Sequence, residues 1–182
     1  MAREVIDTTT DHGSYRGDPG KTAWDKANRN FDELYAGMDK ALASPVACQL
    51  GMSANYSIAS GVVQAIPWNT EFFDTASMHA TSSNTEQILI VKAGFYLVAC
   101  NIQCAANANG SRAIRLLKNG SLLAGTLSFF PAINGRATTC NTFSVEQLAA
   151  GDIISAAAFQ DSGSTIVLEA ANCKFSIYKL SV

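Results

Sequence analysis

The sequence predicts a mainly β unit, a sandwich or barrel, preceded by one short amphipathic helix. Three observations carry this. Residues 1–42 hold 14 of the 28 charged side chains and residues 43–182 hold the other 14, so the chain changes character near Ala43-Ser44-Pro45. Within 21–42 the apolar residues Trp24, Ala27, Phe31, Leu34, Met38 and Ala41 fall at spacings of 3, 4, 3, 4 and 3, the a/d alternation of a helical seam. Beyond the boundary, runs rich in Val, Ile, Phe, Tyr and Thr recur between turn signals.

The elements follow in chain order. Residues 1–20, with Thr8-Thr9-Thr10 and Gly13-Ser14, read as a strap that folds on a partner. Gly17-Asp18-Pro19-Gly20 and Thr22 supply turn and N-cap chemistry for a helix over 21–42. Tyr35 and Leu42 widen its apolar stripe, while Asp25, Lys26, Arg29, Asp32, Asp39 and Lys40 solvate the other faces. Pro45 stops it. At under three heptads, such a helix draws its stability from packing. The stripe therefore needs a cover, either its own β unit or sister helices. The organisation expected is a strap over 1–20, a helical stalk over 21–44 and a β knob over 45–182.

In the knob, strands are predicted at 47–52, 62–68, 87–91, 95–105, 113–118, 121–124, 138–148, 152–160, 165–170 and 174–180, with Asn119-Gly120 as a hairpin turn. The stretch Phe95-Tyr96-Leu97-Val98 is apolar on both faces, and Ile153-Ile154-Ser155-Ala156-Ala157-Ala158-Phe159 repeats the pattern. Without covering helices, one face of such a strand fills the sandwich and the other is expected to meet another subunit.

Bulk composition narrows the function. With 48% hydrophobic residues the chain can bury a core without staples, and a net charge of −2 announces no surface for a nucleic-acid backbone. No stretch approaches a membrane span and Met1-Ala2-Arg3-Glu4 opens no signal peptide, so cytoplasmic synthesis is expected. Cys48, Cys100, Cys104, Cys140 and Cys173 form no CxxC pair and lie in apolar runs, which favours reduced, buried thiols.

Catalytic signatures are scarce. His12 and His79 have no Cys, Asp or Glu at zinc-ligand spacing, and GxSxG, HExxH and P-loop motifs are missing. No cofactor or metal is expected. A glycan hydrolase would need two carboxylates about 5 to 9.5 Å apart, for which Glu71 with Asp74 or Asp152 with Asp161 are the candidates. Arg112, Arg115 and Lys118 form a small basic group that reads as a solvated strand face. Recognition is expected in the Asn-, Ser- and Gly-rich loops 106–111, 130–136 and 161–164, with Asn107, Asn109, Arg112, Asn134, Arg136 and Asp161 as contact candidates.

Two resemblances meet these residues. Gly17-Asp18-Pro19-Gly20-Lys21-Thr22-Ala23-Trp24-Asp25-Lys26-Ala27-Asn28-Arg29-Asn30-Phe31-Asp32-Glu33-Leu34-Tyr35 resembles a segment near the N-terminus of bacteriophage fibre and appendage proteins, of the form GDP-x-(K/R)TA-(F/W)-x-K-x-N-x-NF-x-EL. The resemblance implies a trimerising or virion-attaching element, with Asp18, Pro19, Lys21, Thr22, Asn30 and Phe31 at the attachment positions. It tilts the seam toward a coiled coil of sister helices. Gly94-Phe95-Tyr96-Leu97-Val98 is similar to the G-x-Y strand of the tumour necrosis factor-like jelly roll shared with complement globular heads. Trp68-Asn69-Thr70-Glu71-Phe72-Phe73-Asp74, Lys118-Asn119-Gly120-Ser121-Leu122, Leu148-Ala149-Ala150-Gly151-Asp152 and Phe175-Ser176-Ile177-Tyr178-Lys179-Leu180 follow in the family's order. That resemblance implies a homotrimer, with Phe95, Tyr96, Phe159 and Tyr178 at the subunit contact. The acidic loop clusters of the family's calcium-binding members have no counterpart here.

Together these give an expected homotrimeric phage virion protein. Its N-terminus would engage other virion proteins and its knob a host-surface glycan or protein. A capsid or tail decoration protein is the alternative and a glycan-degrading tail enzyme the third.

Overall fold

The computed structural model describes residues 5–11, 13–14, 16–17, 19–42 and 45–180, with the backbone alone over 39–42. The chain divides into two compact units, Met1–Ser44 and Pro45–Val182.

In the first unit, α1 (Gly20–Leu42) begins beside Pro19, whose carbonyl accepts the Ala23 amide at 2.9 Å. A proline there gives up no helical hydrogen bond. The segment before α1 folds back on itself. The Asp7 carboxylate accepts the amides of Thr9 and Thr10 at 2.9 and 3.0 Å, and the Thr10 hydroxyl together with these amides holds it well below the usual carboxylate range. Gly17 closes the loop by donating to Thr10 O at 2.6 Å. Its φ of +75° and the Asp7 carbonyl lying where a Cβ would stand both require glycine. Ile6 lies against Ala23, Trp24 and Ala27 of the helix, and Lys26 Nζ donates to Val5 O at 3.1 Å. Local order in the strap thus comes from turn chemistry and one apolar anchor.

The second unit is built from β1 (Ala47–Gly51), β2 (Tyr56–Ile58), β3 (Gln64–Ala65), β4 (Thr70–Asp74), β5 (Gln87–Leu89), β6 (Gly94–Cys104), β7 (Ser111–Lys118), β8 (Ser121–Leu122), β9 (Ser128–Pro131), β10 (Thr138–Leu148), β11 (Ile153–Gln160), β12 (Ile166–Leu168) and β13 (Lys174–Lys179). Among the described residues these form two antiparallel sheets. The seven-stranded sheet runs β2-β12-β6-β13-β1-β4, with β10 on the other side of β6. The six-stranded sheet runs β3-β11-β7-β8, with β5 on β11 and β9 on β7.

Alternation decides which side chains enter the space between the sheets. From β6 come Tyr96, Val98, Cys100, Ile102 and Cys104, and from β11 come Ile154, Ala156 and Ala158, all buried. Trp68 and Phe175 anchor one end of the core with ring centroids 5.6 Å apart. The five cysteines are reduced and buried, four of them grouped around Ile102. Cys140 pairs with it on β10 and Cys173 stands immediately before β13, while Cys100 and Cys104 lie two residues to either side. Burial with the Asp74 and Glu71 charges pushes the Cys48 thiol up to about 12, and burial raises Cys100 as well.

The strand boundaries differ from the sequence expectation in identifiable places. Only Gln64–Ala65 of the 62–68 run pairs with a neighbour, on β11, while Ile66 and Trp68 drop into the core as extended chain. Ser128–Pro131, which lies outside the expected strands and overlaps the expected loop 130–136, pairs with β7, its proline sitting at the strand terminus where a missing donor is tolerated. β2 and β4 are further strands that the alternation pattern did not predict.

Candidate functional site

The two long strands β6 and β10 pair along their whole length, so their outward side chains form registered rows. Val145 lies beside Leu97 and then Tyr178, and Phe143 beside Ala99 and then Ser176. Phe95 pairs with Gln147 at the end of the ladder. Phe143 is 72% exposed, Val145 56% and Phe95 50%. Farther along the same strands the face turns polar and bonds to itself. Asn172 Nδ2 donates to Gln103 Oε1 at 2.6 Å, Gln103 Nε2 to Thr139 Oγ1 at 3.1 Å, and Asn101 Nδ2 to Asn172 O at 2.7 Å. Between the two ends Ala99 and Ser176, being small, leave a dent of about 420 Å³ walled by Leu97, Phe143 and Lys174. The described residues of this unit hold no α-helix, and the single-turn 3-10 helix Ala170–Asn172 borders the polar end of this face. Tyr178 meets Phe73 there at 6.0 Å between ring centroids.

The structure divides the residues expected at a subunit contact. Phe95 and Tyr178 lie on this outward face. Phe159 lies on the outer face of the other sheet, edge-on to Phe129 at 6.5 Å, so one contact patch on the first sheet does not reach it. Tyr96 requires correction. It is fully buried in its own protomer, where its hydroxyl donates to Lys92 O at 2.6 Å, because its position on β6 matches Val98 and Cys100. Leu97, Phe143 and Val145 were not singled out in the sequence, although alternation sets Leu97 apart from the inward Tyr96 and Val98, and Phe143 and Val145 apart from the inward Cys140 and Thr142.

In the first unit Trp24, Phe31, Leu34, Tyr35 and Met38 are all exposed along α1. Ala27 is half-buried near Ile6, and the Ala41 side chain lies outside the described residues. Of the attachment positions, Lys21 pairs with Asp25 at 2.8 Å on the surface, Thr22 and Asn30 are half-buried, Pro19 precedes the helix, and Asp18 lies outside the described residues.

The expected recognition loops 106–111, 130–136 and 161–164 fall on or beside the connections 105–110, 132–137 and 161–165, which gather at one end of the sandwich, since β6, β9 and β11 finish there and β7, β10 and β12 begin there. Arg112 again needs correction. It shares the inward parity of Ile114 and Leu116 and is fully buried, so it is no surface contact. Its Nη1 donates to Asn109 O at 2.9 Å and Ser111 O at 3.0 Å, its Nη2 to Asn107 O at 3.4 Å, and its Nε has no partner. Arg115 takes the opposite parity, so the basic group does not form one face. Asp161 accepts the Ser111 amide, and Asn107 accepts the Asn109 amide at 2.8 Å, so both are committed to holding the loops. Asn109, Asn134 and Arg136 stand exposed there, with Ile133 half exposed among them.

Of the two carboxylate pairs, Asp152 with Asp161 comes apart, while Glu71 and Asp74 both engage His79. Asp152 and Asp161 flank β11 at opposite ends, roughly 30 Å apart at the rise of a strand. Asp152 accepts from Lys118 Nζ at 2.9 Å, Asn119 Nδ2 at 2.8 Å and the Ala149 amide at 2.8 Å, which holds it at about 2. Glu71 Oε1 faces His79 Nδ1 at 2.9 Å, and Asp74 receives three backbone amides. Among the described residues no group of three or more His, Cys, Asp or Glu side chains could hold a metal ion. No helix there is long and apolar enough to cross a membrane.

No protein-family model matches the chain, and no curated protein matches it in sequence. Solved structures do match. The globular domain of zebrafish complement 1qA protein aligns with a TM-score of 0.56 at 12% identity, over 75% of this chain and 98% of that one. The β unit has a jelly-roll fold like that of tumour necrosis factor and complement globular heads. Murine APRIL at pH 8.0 aligns at 0.54 and 15% identity, over 75% of this chain and all of that one. Eiger TNF from S. frugiperda aligns at 0.54 and 15%, over 75% and 93%. At such identities the likeness concerns the fold.

Proposed function

We propose that this chain is a non-enzymatic appendage that assembles as a homotrimer, with α1 as a coiled-coil stalk and the jelly roll as a binding head. The observation that carries the reading is the uncovered face of β6 and β10, where Phe95, Phe143 and Val145 stand half exposed or more in a row. A contiguous apolar patch rimmed by a self-satisfied polar border is the anatomy of a protein contact. The exposed seam on α1 asks for the same thing, since a helix of 23 residues with five large apolar side chains in solvent gains its packing from other copies. A jelly-roll head trimerises by heterologous contact, an edge strand of one copy meeting the face of the next, and β10 is such an edge.

The virion setting rests on the 17–35 segment and its resemblance to phage fibre N-termini. On that reading the N-terminal unit binds the particle and the loop end of the head is presented outward. Synthesis is cytoplasmic and the working location is the virion surface. Two experiments test it. Phe31→Asp places a charge where seam side chains would converge, and it should lower the native mass; an unchanged mass overturns the stalk. Excess purified full-length protein should block adsorption of particles that carry it. Unimpaired adsorption would move the role to decoration of the particle.

A further inference from the structure

We propose that the second unit carries a site for a neutral saccharide in the cleft between the connection 75–86 and strands β5 and β11. This names a ligand class for the binding head and so rests on reading that unit as a recognition module. A single copy supplies every lining residue.

Long irregular connections are either disordered or functional. This one is fixed in place. The Asp74 carboxylate accepts the amides of Ala76, Met78 and His79 at 3.1, 2.6 and 2.9 Å. The His79 ring is fully buried, with Nδ1 2.9 Å from Glu71 Oε1 and Nε2 3.1 Å from Thr85 O. Met78 plugs into the core and its carbonyl accepts the Leu89 amide at 2.7 Å, while Thr85 O accepts the Trp68 amide at 2.9 Å. The Asp74 carboxylate and the His79 ring are thus engaged in holding the segment, and Glu86 Oε1 accepts from Gln87 Nε2 at 3.1 Å.

That scaffold leaves a cleft of about 320 Å³, within the size range of small-ligand sites. Its polar wall is Ser77, Ser83, Asn84 and Gln87, and its apolar floor is Leu89 and Ile153. Among the described residues none bonds to the side chains of Ser77, Ser83 or Asn84. Ser77 and Asn84 also hold positive φ, +53° and +47°, two of the three non-glycine residues that do so among the described residues. The third, Asn119, sits in a hairpin turn, where such a φ is ordinary. Strained backbone on a pinned segment that lines a cleft is a mark of a built site.

The ligand class follows from the lining. Hydroxyls and amides both donate and accept, as sugar hydroxyls do, and the apolar floor suits the C–H face of a pyranose ring. No Asp, Glu, Lys or Arg side chain lines the cleft, and its one imidazole, His79, is turned to Glu71 and Thr85 O, so phosphates and acidic sugars meet no free cation there. The lining also lacks an aromatic platform, so single-site affinity is weak, and several copies on one particle would supply avidity.

The test is saturation-transfer difference NMR on the full-length protein with the methyl glycosides of glucose, galactose, mannose, N-acetylglucosamine and rhamnose. At least one glycoside should show transfer. Asn84→Gly keeps the backbone conformation and removes the amide, and together with Gln87→Ala it should cut that transfer by roughly tenfold. Lys92→Ala, away from the cleft, should leave it unchanged. No transfer from any of the five, or transfer indifferent to both cleft substitutions in protein of unchanged circular dichroism, would overturn the proposal. Native mass on the same samples separates the two readings. A trimer that binds none of the glycosides loses only the saccharide site, and a monomer that binds one loses only the assembly.

Discussion

Replacing Arg112 by methionine tests how the loop end of the sandwich is built. The guanidinium is fully buried, donates to three carbonyls within residues 107–111, and leaves Nε unpaired. Two effects oppose each other. Removing the group relieves a desolvated charge that has no hydrogen-bonded carboxylate, but it also strips three carbonyls of charge-assisted donors, each worth about 1.5–3 kcal/mol in such settings. Because the carbonyls come from a surface loop, water can replace part of the loss once the loop opens. The net expected change for Arg112→Met is a loss of about 2 kcal/mol, and for Arg112→Ala about 4 kcal/mol, since the missing stem also leaves a cavity. Urea unfolding at one fixed protein concentration measures the first quantity, and amide exchange at Asn109 and Ser111 reports the local opening. A methionine variant as stable as the parent, with those amides still protected, would refute the idea that Arg112 organises the loops.

Other expectations can be checked in parallel. Phe143 is 72% exposed, and covering its ring would contribute about 3 kcal/mol per copy, so Phe143→Asp should lower the native mass while leaving the far-ultraviolet circular dichroism intact; a full-mass variant would contradict this. The Asp152 carboxyl, held at about 2 against an ordinary 3.8, stabilises the fold above pH 4 and loses that contribution as pH falls from about 4 to 2. Asp152→Asn should therefore cost about 1 kcal/mol at neutral pH and flatten the acid limb of a stability profile, and an unchanged limb would remove Asp152 from that role. Trp68 is buried with Nε1 unpaired, so Trp68→Phe trades lost volume against relief of an orphan donor and should change stability by no more than about 1 kcal/mol, as thermal or urea unfolding would show. A Cβ at Gly110 would meet Asp161 at a φ of +70°, so Gly110→Ala should destabilise the loop end measurably by urea unfolding, and a neutral result would argue against the Asp161 clasp.

Much of the fold could be read from alternation and turn chemistry. The α1 seam was visible because its 3-4 spacing survives any environment, and β6, β10 and β11 because long apolar runs have few alternatives. The short pieces were less legible. Ser128–Pro131 sits among Phe, Pro, Asn and Gly that signal turns, and only its partner β7 makes it a strand. Parity was present in the sequence and would have placed two residues correctly. Arg112 alternates with Ile114 and Leu116, and Tyr96 with Val98 and Cys100, yet charge in the first case and a family motif in the second pointed outward. The cleft behind Ser77 and Asn84 could not be read at all, since it depends on where Asp74 and His79 fold an irregular connection. The outward row of β10 was readable in principle, but which face of the strand meets solvent depends on which sheet closes over it.

The central claim is that the apolar face of β6 and β10 and the seam of α1 are covered by copies of the same chain. Sedimentation equilibrium of the full-length protein at micromolar concentration tests it most directly. The account predicts three times the 19.3 kDa chain mass, independent of concentration across that range. A species of 19.3 kDa, with both apolar surfaces left in solvent, would contradict it.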